Sequence, residues 1–153
     1  LGRSLDLTLP KWRDETKDTA IWNIERGFAL TPDELLNSEL KRTKIYADVA
    51  EFFQHYDVLA LPAAQVPPFS IDQEWVTEID GVTLDTYIDW MAVCCMITVT
   101  GLPTVSVPAG FSSAGLPIGV QLVGKPRGDL ALLKIAHWFE QATQFYTQRP
   151  HII

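Results

Sequence analysis

This chain has no cluster of basic residues, no pair of histidines at ligand spacing, and no apolar run of the roughly 18–20 residues that a membrane helix needs. Each absence removes a class of protein. Twelve Lys and Arg against nineteen Asp and Glu leave a net charge of −7. Those twelve cations are scattered, whereas phosphate backbones are held by clustered ones, so no nucleic-acid partner is expected. Without a long apolar run, no membrane partner is expected either. His55, His137 and His151 fall on three different predicted elements, so no metal centre is expected, and nothing calls for another cofactor. Cysteine is limited to the adjacent Cys94 and Cys95, which make no disulfide framework. The expectation is of buried free thiols in a reducing, cytosolic compartment. No secretory leader is visible, and the chain opens on Leu1 rather than Met, so a fragment or a processed product is expected.

What is present is a globular composition, 47% hydrophobic and 20% charged. A length of 153 residues is expected to form a single domain, residues 1–153, that buries roughly 68–70% of its unfolded surface. Leu5, Leu7 and Leu9 alternate toward Pro10 and predict a first strand. Ile21, Trp22, Ile24 and Phe28 suit a helix over 19–29. Thr31-Pro32-Asp33-Glu34 carries the signals of a helix start: a capping hydroxyl, a proline at the first helical position, and a glutamate three residues on. The helix that follows is expected to reach His55. Tyr56 to Pro62 reads as a short strand covered on both faces. Asp80-Gly81 is a turn between short extended pieces. Leu84 to Thr98 reads as one apolar helix on which Tyr87, Met91 and Cys95 share a stripe, with Trp90 and Cys94 on a neighbouring stripe. Two β-branched runs, Thr104–Val107 and Ile118–Val123, flank the turn-rich Gly110–Gly115 and predict a hairpin. Asp129 is expected to cap a last helix reaching Ala142.

Few of these residues assemble into chemistry. Ser112 and Ser113 lie in a Gly-bounded turn, but a nucleophile elbow needs Gly-x-Ser-x-Gly between strand and helix, and this link joins strand to strand. Cys94 and Cys95 have no Lys, Arg or His close in sequence to depress a thiol pKa, so core packing is the expectation. Gly124-Lys-Pro-Arg-Gly-Asp129 precedes a helix and reads as a solvated turn rather than an anion site, since Pro126 removes one donor. Asp57 is expected at the surface or in a cap, and Trp22, Trp75, Trp90 and Trp138 in the core or a pocket wall.

The segment Gly101-Leu-Pro-Thr-Val-Ser-Val-Pro-Ala-Gly110, followed by Gly115-Leu-Pro-Ile-Gly-Val-Gln-Leu-Val-Gly124, resembles the C-terminal part of the amidase signature family. Tyr56-Asp57 leading to Pro62, Asp80-Gly81, and Leu132-Leu133 to Phe139-Glu140 extend the likeness. So does Ile21-Trp-Asn-Ile-Glu-Arg-Gly27 with Arg42-Thr43 and Tyr46. The resemblance covers nearly the whole chain. It implies an α/β architecture, with a mixed sheet flanked by helices, of which this is the C-terminal portion. It also implies hydrolysis of carboxamides through a Ser-Ser-Lys triad set in a Gly-Ser-rich signature. No such run occurs in this sequence, so no catalytic residue is assigned and the chain alone is expected to be inactive.

In the family the helix before Gly-Leu-Pro lines the acyl side of the substrate pocket, which by resemblance assigns Tyr87, Trp90, Met91 and Cys95 as pocket residues. Glutamine-using members place an acidic residue about where Met91 stands and a basic one near Phe28–Ala29. Both positions are apolar here, which implies an apolar or aromatic amide substrate, bound when this chain is joined to an N-terminal half. An uncovered apolar face predicts self-association. The rival expectation is a non-catalytic binding or structural module that partners another subunit.

Overall fold

In a computed structural model the described residues are 11–149, so the strand expected over Leu5–Leu9 lies outside them. The chain divides into two compact units, Leu1–Lys41 and Arg42–Ile153.

In the first unit, α1 spans Asp18–Phe28. The division falls within α2, Pro32–His55. The capping box at its start forms as the sequence dictates. The Glu34 carboxylate accepts from the Thr31 backbone N–H at 2.8 Å, while the Glu34 N–H donates back to Thr31 Oγ1 at 3.3 Å. Leu35, Leu36 and Leu40 are more than half exposed, so the apolar side of this first stretch has no cover among the described residues.

The second unit is built on a three-stranded sheet. Its strands are β1 (Val58–Pro62), β4 (Thr104–Phe111) and β5 (Pro117–Gly124), in the order β1-β5-β4 and antiparallel throughout. The β4–β5 hairpin is the one the β-branched runs predict. A bulge between Pro108 and Gly110 shifts its register, and Gly110 sits at φ 112°, a conformation closed to L-residues. A separate two-stranded ribbon, β2 (Glu78–Ile79) and β3 (Val82–Thr83), turns at Asp80-Gly81 with both residues at positive φ. That is the geometry of a type I′ turn.

Helix α4 (Asp129–Thr143) lies across β4 and β5. Leu132 and Ala136 bury against Val107 and Leu122, with Val105, Val120, Ile135 and Phe139 around them. Val123 is fully buried. Asp129 is the first helical residue rather than the cap; the preceding Gly128 offers no side chain to cap with.

Further expectations need correction. The helix expected over Leu84–Thr98 is only a 3₁₀ turn, Asp89–Met91, followed by α3, Ala92–Thr98. The Asp89 carboxylate accepts from both the backbone N–H and the hydroxyl of Thr86, at 2.7 and 3.0 Å, the reach-back contact of a helix start, so helical structure begins after Thr86 rather than at Leu84. Strand β1 is only partly covered, with Ala60 and Pro62 exposed. Trp138 is two-thirds exposed rather than in a core.

Candidate functional site

The C-terminal end of β1 and the N-terminal end of β5 run side by side, Pro62 opposite Val120. Beyond Pro62 the chain leaves the sheet, but the Ala63 N–H still donates to the Gly119 carbonyl at 3.0 Å, which extends the pairing by one residue. The segment from Ala63 to Phe69 then arches over the sheet edge. Two contacts tie it to α3: Gln65 Oε1 accepts from the Val93 N–H at 2.9 Å, and the Cys94 thiol donates to the Ala63 carbonyl at 3.3 Å. Val93 stands at the second position of α3, where backbone N–H groups have no helical partner, so the Gln65 amide acts as a cap supplied from a distant loop. Beneath this arch, Gln121 is buried and donates through Nε2 to the Pro62 carbonyl at 3.0 Å.

The result is an open groove of about 750 Å³, a size suited to a small organic ligand. Its walls are Ala60–Phe69 from β1 and the arch, Pro117–Val120 from β5, and Trp90. The rings of Trp90 and Phe69, both in its lining, meet edge to face at 5.5 Å. No ionisable side chain lines it. Gly119 faces the arch so closely that a Cβ there would stand 3.2 Å from Ala63 Cβ.

Of the four residues expected in a pocket, Trp90 lines this groove and Tyr87, Met91 and Cys95 do not. The shared stripe fails because Tyr87 precedes the helix rather than lying on it. Cys94 and Cys95 are both free and both exposed, which overturns the expectation of buried thiols. Ser112 serves the hairpin turn, its Oγ accepting from the Leu116 N–H at 3.2 Å. Asp57 forms an exposed ion pair with Lys125 at 2.9 Å, so the loop after Gly124 spends its lysine on a carboxylate. Among the described residues no His, Cys, Asp or Glu cluster could hold a metal, and no helix is long and apolar enough to cross a membrane.

Sequence reasoning missed the arch. Pro62, Pro67 and Pro68 mark it as irregular, but nothing in the spacing shows that Ala63 would pair with Gly119 or that Gln65 would reach α3. Fold and groove together are those of an α/β protein, an antiparallel sheet packed by helices with an apolar groove at one end. The Amidase family model matches residues 2–133, and the chain belongs to that family. It is 37% identical over 117 residues to a glutamyl-tRNA(Gln) amidotransferase subunit of Geobacter metallireducens, covering 76% of this chain and 23% of that protein. With the protein of the same name from Synechococcus sp. the identity is 39% over 109 residues, covering 71% and 21%. A bacterial aryl acylamidase of the amidase signature family superposes with a TM-score of 0.79 at 26% identity, over 97% of this chain and 32% of that one. The chain thus spans about a fifth of the length of the curated relatives it matches.

Proposed function

We propose that this chain forms an apolar wall of the substrate pocket in an amidase, which converts a carboxamide and water to a carboxylate and ammonia or amine. The observation that carries this reading is the groove under the Ala63–Phe69 arch, which has no ionisable lining and a Trp–Phe corner. A ligand ammonium would lie there with neither side-chain acceptor nor counter-charge, and a carboxylate without counter-charge, at a cost of several kcal/mol. The preferred substrate is therefore an apolar or aromatic amide rather than glutamine. Trp90 contacts it directly; Tyr87, Met91 and Cys95 lie outside this groove and keep only the assignment to the acyl side of the family's pocket that their place before Gly-Leu-Pro implies. The Ser-Ser-Lys triad of the family has no counterpart in this sequence, so in this reading the chain supplies sheet and pocket while chemistry comes from elsewhere, and alone it turns over no amide. The two free cysteines support a cytosolic location.

A second reading, a module that works within a complex of several different chains, is favoured by relatives named as an amidotransferase subunit. The first reading is tested by ¹H–¹⁵N NMR of the 153-residue chain titrated with acetanilide and, separately, with glutamine. Shifts at the Ala63 and Gly119 amides and the Trp90 indole with acetanilide alone are the expected result. Equal or larger shifts with glutamine would overturn it.

A further inference from the structure

The groove is apolar but not featureless, and its polar side-chain atoms are of one kind. Among the lining residues only Gln65 and Trp90 carry a polar side-chain group. The oxygen of Gln65 is committed: it accepts the Val93 N–H, which also fixes which end of the amide is oxygen and which is nitrogen. Among the described residues the Gln65 NH₂ and the Trp90 indole N–H have no hydrogen-bond acceptor; Trp90 meets Phe69 only through its ring. The groove's side chains therefore offer donors and no free acceptor. Of the backbone carbonyls beside it, those of Pro62, Ala63 and Gly119 each already receive one donor.

We infer that Gln65 and Trp90 are specificity-determining residues, a pair of donors that selects neutral apolar ligands bearing an acceptor oxygen, such as the carbonyl of an aryl carboxamide. This inference rests on reading the groove as a substrate pocket. A ligand carbonyl entering the groove leaves water and needs a donor there, and an apolar ligand without one gains nothing from the pair. The Gln65 amide is held in place because its other end caps α3, so the donor is oriented before any ligand arrives.

The test uses the 153-residue chain, two probes and three variants. Acetanilide carries an acceptor oxygen, and ethylbenzene is an apolar ring compound without one. Gln65→Glu keeps an oxygen for the Val93 N–H but removes the NH₂; Gln65→Met removes both without adding charge; Trp90→Phe keeps a ring against Phe69 but removes the indole N–H. Affinities are read from NMR titrations, with the Val93 amide resonance reporting whether α3 is still capped. Each variant is expected to raise the Kd for acetanilide about fivefold, equivalent to about 1 kcal/mol, and to change that for ethylbenzene by less than twofold. If both probes bind and acetanilide is unaffected, or if both probes weaken together, the donor pair is refuted while the groove reading stands. If neither probe binds the wild-type chain, the groove reading fails and this inference fails with it.

Discussion

Gly119 offers the sharpest test of how the groove is held. A methyl added there would stand 3.2 Å from Ala63 Cβ, 3.3 Å from Ser106 Oγ and 3.5 Å from the Val107 carbonyl. The serine can rotate away and the carbonyl contact is nearly ordinary, so the conflict lies with Ala63. Ala63 cannot retreat freely, because its N–H is bonded to the Gly119 carbonyl and its own carbonyl to the Cys94 thiol. Relief requires the arch to lift. Overpacking of this kind costs about 1–3 kcal/mol, and for a protein of this size about 1.5 kcal/mol moves a urea midpoint by about 1 M. Ala63→Gly removes the opposing Cβ and by itself costs less than about 1 kcal/mol through added backbone freedom. The double variant Gly119→Ala/Ala63→Gly should therefore be more stable than the sum of the single effects by about 1 kcal/mol. Urea unfolding of the four proteins, with hydrogen exchange at the Ala63 amide, measures this. Exchange at Ala63 should accelerate in Gly119→Ala and recover in the double variant. Additivity within about 0.5 kcal/mol would refute the claim that these two residues press on each other.

Two further outcomes follow from other sites. The Thr31 backbone N–H, and then its hydroxyl, hold the Glu34 carboxylate below the usual range, with Arg26 adding a smaller favourable field. Because the folded pKa is depressed, the capping contribution is present above the ordinary carboxylate pKa and is lost as pH falls through the lower, folded value. In a ¹³C NMR titration Thr31→Ala should raise the Glu34 pKa toward its ordinary value, and an unchanged titration would contradict the capping box. The exposed Cys94 and Cys95 should both react with a disulfide reagent in the native chain, Cys94 more slowly because its thiol is bonded to Ala63. Reaction only after unfolding would show that both are buried.

The sequence made the local features legible and left the tertiary ones hidden. The α2 capping box, the Asp80-Gly81 turn and the β4–β5 hairpin each depend on residues within a few positions of one another, and all three form where their residues require. The helix before Gly-Leu-Pro was overextended because Tyr87, Met91 and Cys95 fit a helical period, while the Thr86–Asp89 contact that marks its start involves only two polar side chains. The groove was legible in one residue, Trp90. Its remaining walls come from a proline-rich segment with no periodicity, anchored by contacts that no spacing rule describes.

The placement of β5 between β1 and β4 has a thermodynamic consequence for the groove. Its two sides come from parts of the chain as distant as Pro62 and Gln121, which are 59 residues apart and joined by a single side-chain hydrogen bond. Closing a flexible loop of that length costs roughly 3–4 kcal/mol of chain entropy beyond a constant term. The docking of β1 on β5 and the contacts that follow it offset that cost. The β4–β5 hairpin bears no such cost, so the groove is a conditional structure laid on an unconditional one. Weakening β1 docking would erase the groove while leaving the Gly-Leu-Pro hairpin folded and intact.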